Sequence, residues 1–227
     1  MMLLGFLFSN SKKNQHKNIG ELIVGFALLF LGLSFMKESV PDLKQTPQVL
    51  EFVRQWSGYG LGSVLIFLGV GTVLTLILQS SSATMAITLI MLSMGWIPFP
   101  MACAMVLGEN IGTTITANIA AAVANTSAKR AARAHTIFNV IGVIWVLALF
   151  GPIVKLICFI METLNFYNPM EASHQLALIA NGGAAADSEL MEMYKNSLLY
   201  GIAMLHTLFN VTNTLALIWF TPLIEKA

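Results

Sequence analysis

The chain has 227 residues, 56% of them hydrophobic and 10% charged, with a formal net charge of +1 and a mean hydropathy of +0.76. An ordinary soluble domain needs far less apolar sequence for its core, so the composition excludes that class and specifies an integral membrane protein. The few basic residues form short clusters between apolar segments, which is the pattern of juxtamembrane charge and not of a nucleic-acid-binding face.

Only helices or closed barrels can cross a bilayer, and the apolar segments lack the period-2 alternation of barrel strands. The expected class is therefore all-α, a polytopic membrane protein with broken or re-entrant helices. Residues 1–18 read as the tail of a preceding helix (MMLLGFLF) and a linker carrying Lys12, Lys13 and Lys17. A signal peptide is a poor reading, because no charge precedes the apolar run. Residues 19–57 hold a first membrane helix, Ile19 to Met36, and a polar connector, Lys37 to Ser57, with Pro41 and Pro47. Glu21 is expected at the interface, held near Lys17.

Residues 58–128 form the next unit, read as membrane segments at about 59–78, 83–95 and 101–122. The second is short enough to be a hairpin arm or half-helix, and the turn before the third carries Trp96, Pro98 and Pro100. Residues 129–227 are expected to be scaffold helices: one from about Ala131 kinked by Pro152 near Gly151, a polar external loop at about 165–195, and a last span from about Asn196 to Leu223. Cys103 and Cys158 fall inside apolar sequence without metal-site spacing and read as small buried hydrophobes. With a cytoplasmic amino end, Lys12, Lys13, Lys17, Lys129, Arg130, Arg133 and Lys226 lie inside, and Lys37, Lys44, Arg54 and Lys195 outside. That is a modest positive-inside bias for a multi-pass protein of the cytoplasmic membrane.

The informative sequence is polar. Between Gly58 and Ala124 there is no Lys, Arg or Asp and one Glu, yet the run Gln79, Ser80, Ser81, Ser82, Ala83, Thr84 sits in its middle. Amide and hydroxyl groups at membrane depth are costly without partners, so the run implies packing, a bound solute, or both. Serines in membrane helices often serve close packing, but three in a row cannot share one helix face. A second constellation follows, Gly108 to Asn118 (GENIGTTITAN), with Asn110, Thr113 and Thr114 on one face. Hydroxyls and amides donate to anion oxygens and also offer lone pairs to hard cations. Gly108 and Gly112, with the small residues around Ser80 to Ala83, are expected to let a helix unwind there. With no Lys or Arg between Arg54 and Lys129, a divalent anion bound here would need co-bound cations.

QSSSAT followed after some 25 residues by G-x-N-I-G-T-T resembles the type II sodium/phosphate cotransporter family, bacterial branch, over most of the chain from about Ile19 to Phe220. In that family the motif pair marks each of two inverted repeats. The resemblance implies one repeat of an inverted-repeat transporter performing sodium-coupled inward phosphate symport, with no enzymatic activity, no cofactor, and sodium as co-substrate. It implies that Gln79, Ser80, Ser81, Ser82 and Thr84 bind phosphate and sodium and that Asn110, Thr113 and Thr114 complete the site. Glu109 and Thr116 are carried as further candidates. Glu109 occupies the variable position of the motif, and three readings stand open for it: near the membrane edge, protonated, or part of a cation site. The chain shows one QSSS element where the family carries two, so it is expected to be half a transporter that works with a second repeat or another subunit.

Two other readings compete. An intramembrane serine hydrolase would use one of Ser80 to Ser82 with His135 or His206 as base, although no Gly-x-Ser-x-Gly element is present. A truncated, inactive membrane fragment is the other. The two histidines belong to an internal echo, His135 to Val140 (HTIFNV) and His206 to Val211 (HTLFNV). Each places His and Asn on one helix face, suited to interhelical hydrogen bonding or left from an inverted duplication.

Overall fold

The computed structural model describes residues 2–39, 51, 53, 55–184 and 186–224, and all regular structure among them is helical. The chain divides into two compact units, Met1–Pro47 and Gln48–Ala227. Most of the polar connector expected over Lys37 to Ser57 lies outside the described residues.

In the first unit, α1 (Met2–Ser9) folds back on α2 (Asn14–Ser39). The close approach is made at glycines: a Cβ on Gly20 would fall 2.2 Å from the Ser9 nitrogen. Lys17 and Glu21 form an exposed pair at 3.9 Å, as expected for the water-side end of α2.

The second unit begins with α3 (Leu61–Leu78), α4 (Ser81–Ser93) and α5 (Phe99–Ala121). At 1.5 Å per residue α3 is about 27 Å long and α4 about 20 Å, so α4 falls short of a bilayer core of roughly 30 Å. Helix α5 is the centre: every residue from Met101 to Glu109 is buried, which is why its apolar sequence shows no single hydrophobic stripe. α3 packs along α5 in parallel, with Gly71 against Met105, Gly108 against Leu68 and Gly112 against Thr72 and Thr75. α4 runs back between them, placing Thr84 beside Thr75 and Thr88 beside Glu109.

Around this trio lie α6 (Thr126–Ala148), α7 (Phe150–Thr163), α8 (Pro169–Ala180) and α9 (Ser188–Leu217), followed by a 3-10 turn and α10 (Thr221–Ile224). Asn118 ties α5 to α6 by donating to Thr136 Oγ1 at 2.6 Å. Among the described residues three helices, Leu61–Leu78, Thr126–Ala148 and Ser188–Phe220, are long and apolar enough to cross a membrane. Large apolar side chains on their outer faces, among them Leu65, Ile77, Ile144 and Leu215, are exposed, as lipid contact requires.

Four expectations need correction. The kink forecast at Gly151 is a full break at Leu149, because Pro152 cannot donate to the Ala148 carbonyl and its ring crowds that oxygen. Pro152 falls instead in the first turn of α7, where no donor is needed. The polar loop forecast over Asn165 to Met193 contains α8, started by Asn168 capping the N–H groups of Met170 and Glu171 and by Pro169, with Ala172 and Leu176 buried.

The asparagines of the internal echo bond within their own helices, Asn139 to the His135 carbonyl and Asn210 to that of His206. The interhelical link comes from Asn213, which donates to the Phe138 carbonyl at 2.8 Å and accepts from Trp145 Nε1 at 3.4 Å. The last correction concerns the glycines of the second motif. α5 is continuous through Gly108 and Gly112, which do not unwind it; they let it approach α3.

A Cβ on Gly108 would lie 2.0 Å from the Leu68 carbonyl oxygen, a backbone atom that cannot step aside alone. Gly108→Ala is therefore expected to force α3 and α5 apart at a cost of about 1–3 kcal/mol, lowering the thermal midpoint of the detergent-purified protein. Gly69→Ala, whose Cβ meets nothing within 4 Å, is the matched control and should not lower it.

Candidate functional site

The break between α3 and α4 consists of two residues. Gln79 caps α3 in the left-handed region, φ 53 and ψ 26, and Ser80 is extended, φ −150 and ψ 110, before α4 begins. Glycine is the residue that occupies the left-handed region without steric cost; a glutamine there stores about 1–3 kcal/mol and persists only where its surroundings hold it. The exposed Gln79 amide is thereby presented at the tip of a helical hairpin.

Ser80 Oγ accepts from the Ala83 N–H at 3.2 Å, and the Ser80 carbonyl accepts from the Thr84 hydroxyl at 3.1 Å. Helical geometry leaves the N–H groups of Ser81 and Ser82, in the first turn of α4, without intrahelical acceptors. Ser81 is half-buried and Ser82 exposed. Thr84 is fully buried, its hydroxyl 3.2 Å from that of Thr75, which also donates to the Gly71 carbonyl at 2.9 Å.

The second motif meets the first through Thr75. A Cβ on Gly112 would lie 2.6 Å from the Thr75 Cβ, so the α5 backbone and the start of α4 flank the same threonine. Asn110 and Thr113 are half-buried, donating to the Val106 carbonyl at 3.1 Å and the Glu109 carbonyl at 2.8 Å. Thr114 is buried and donates to the Ile111 carbonyl, and the half-buried Thr116 donates to the Thr113 carbonyl. Each of these hydroxyl protons is thus used within its own helix, leaving the hydroxyl lone pairs and, on Asn110, the amide oxygen and a second N–H as the remaining chemistry. Glu109 is buried among the helices, 2% exposed, and lies 2.9 Å from the Thr88 hydroxyl.

Three threonines absent from the sequence-derived set belong to this neighbourhood: Thr72, which donates to the Gly108 carbonyl at 3.0 Å, Thr75 and Thr88. Their signal was a set of lone hydroxyls at helical spacing within apolar sequence, indistinguishable one by one from packing residues. Among the described residues no hydrogen bond joins Ser80, Ser81 or Ser82 to His135 or His206. Nor does any group of three His, Cys, Asp or Glu among those residues suit a metal ion.

A family model described as Na+/Pi-cotransporter matches residues 51–182, more than half of the sequence and all of the region just described. The chain belongs to this family. Among relatives of this chain, an uncharacterised Bacillus subtilis protein, YqeW, is 35% identical over 152 residues, covering 65% of this chain and 47% of YqeW. The putative inorganic phosphate export protein YjbB of Salmonella typhimurium is 25% identical over 157 residues, covering 69% of this chain and 28% of that protein. Its Escherichia coli K12 counterpart is 25% identical over 166 residues, covering 73% and 29%. The chain thus spans about half or less of these curated relatives, and no solved structure matches it.

The left-handed backbone at position 79 predicts opposite results for two substitutions. Gln79→Gly relieves the strain and should leave helicity unchanged and the thermal midpoint at or above that of the wild type, whereas β-branched Gln79→Val should lower the midpoint by the equivalent of about 1–3 kcal/mol. Circular dichroism during thermal melting checks both.

Proposed function

We propose that this chain supplies one half of a sodium-coupled phosphate symporter of the cytoplasmic membrane, acting with a second repeat or another subunit. The observation that carries the reading is the helix break at Gln79–Ser80, held against the second motif through Thr75. In this reading the Gln79 amide, the Ser81 and Ser82 hydroxyls and the uncovered N–H groups of the α4 first turn take phosphate oxygens, because the positive end of the helix dipole points there. Hydroxyl and carbonyl oxygens of Ser80, Thr84, Asn110, Thr113 and Thr114 offer lone pairs to sodium.

Coupling follows from electrostatics. Desolvating an uncompensated charge costs several kcal/mol, and a divalent anion costs more, so phosphate enters with sodium or not at all. Each sodium moved inward also contributes about 2.3 kcal/mol per 100 mV of membrane potential. Alternating access would come from movement of the α3–α4 hairpin against the surrounding helices.

The names of the two YjbB relatives favour a second reading, in which the same site releases phosphate from the cell. Direction and coupling are tested together by measuring labelled phosphate flux in vesicles with a sodium gradient imposed either way. Inward flux that needs external sodium, is lost in Ser81→Ala and survives His206→Ala is the expected result. Flux only outward would favour export, and flux indifferent to sodium would refute coupling.

A further inference from the structure

Glu109 is the one carboxylate between Gly58 and Ala124, and the fold buries it at the centre of the second unit. Its Oε1 lies 2.9 Å from the Thr88 hydroxyl, and Thr88 itself is fully buried. Among the described residues the one ion pair is Lys17–Glu21, so no described cation neutralises Glu109. A buried carboxylate left this way is strongly destabilising unless a proton or a cation accompanies it.

The surrounding oxygens favour a cation. From Glu109 a chain of buried oxygens leads through Thr88 Oγ1 to the Thr84 carbonyl at 3.0 Å, and the Thr84 and Thr75 hydroxyls continue it at 3.2 Å toward the helix break. Each of the three threonines already faces the carbonyl four residues before it: Gly71 for Thr75, Ser80 for Thr84 and Thr84 for Thr88. A hydroxyl carries one proton. Thr75 shares its proton between the Gly71 carbonyl and the Thr84 hydroxyl, and Thr88 shares its own between the Thr84 carbonyl and Glu109, so five acceptor contacts draw on three protons. A line of oxygens rich in lone pairs and short of protons, ending in one fixed negative charge, is the donor set of a hard cation. Because no group of three acidic, His or Cys side chains is assembled among the described residues, and the oxygens around Glu109 are neutral hydroxyls and carbonyls, the charge balance suits a monovalent ion.

We propose that Glu109 and Thr88 form a monovalent cation site of sodium's class, with Glu109 as its charged ligand and Thr84 connecting it to the break at Gln79–Ser80. This deepens the symport reading and rests on it for the choice of sodium; the cation site itself is read from the oxygens. A carboxylate ligand also makes the occupied site neutral, so this ion binds without waiting for phosphate.

The test is binding of radiolabelled sodium to the purified full chain in lipid nanodiscs with phosphate absent, run beside the phosphate flux assay. The wild type is expected to bind sodium saturably, the control Gly69→Ala to stay near it, and Glu109→Gln to weaken binding at least about tenfold, as loss of the charged ligand of a hard cation should. Wild-type affinity in Glu109→Gln, or no saturable sodium binding by the wild type, would overturn the proposal. If Glu109→Gln is not recovered folded, Thr88→Val replaces it in the same assay, and unchanged affinity there overturns the site equally. The two readings fail separately. Sodium-driven phosphate flux with unaltered sodium binding in Glu109→Gln removes the cation site alone; Glu109-dependent sodium binding beside phosphate flux that is indifferent to sodium upholds the site and removes the symport reading.

Discussion

Along one seam two helices of this protein touch backbone to backbone. Gly71 meets the carbonyl of Met105, Gly108 that of Leu68, and Gly112 the carbonyl of Thr72 and the side chain of Thr75. In lipid, where apolar side chains gain nothing by leaving their solvent, such close approach is the main means by which helices associate. Everything at the centre of the second unit inherits its position from that seam. It fixes the register of α3 on α5, and so the height at which α3 ends and the hairpin turns.

The same seam accounts for the buried polar groups. Hydroxyls on α3 and α4 can hydrogen-bond to carbonyls of their own helices, which is how membrane proteins satisfy threonine at depth. Thr72, Thr75, Thr84 and Thr88 all do so. Held close by the glycines, Thr72 also reaches across to α5, and Thr88 reaches Glu109. A dry apolar contact between α4 and α5 would be simpler to build, so the buried carboxylate with its row of oxygens is the costly feature of this unit.

Much of the architecture was legible beforehand because hydropathy and punctuation act locally. Segments expected at about 59–78, 83–95 and 101–122 appear as Leu61–Leu78, Ser81–Ser93 and Phe99–Ala121, since Gly95 at φ 73 and Pro98 stop and start helices by their own geometry. Polarity misled where amphipathic helices were short. The stretch from 165 to 193 looked like a loop because α8 has polar residues facing outward, although Asn168–Pro169 was a readable start signal. Glycine misled as well, since one residue type serves both unwinding and close packing, and the partner that decides between them is distant in sequence.

Sequence by itself determined the helical membrane class, the family resemblance carried by QSSSAT and GENIGTT, and the polar break near residue 80, because composition and short-range backbone preference suffice for each. Tertiary structure alone decided that Gly108 and Gly112 pack instead of bending, that Thr75 and Thr88 join the two motifs, that Asn213 and not the echoed asparagines links α6 to α9, and that Glu109 is buried. The reason is physical: whether a glycine, a hydroxyl or a carboxylate is a seam, a ligand or a surface group depends on what the fold brings opposite it.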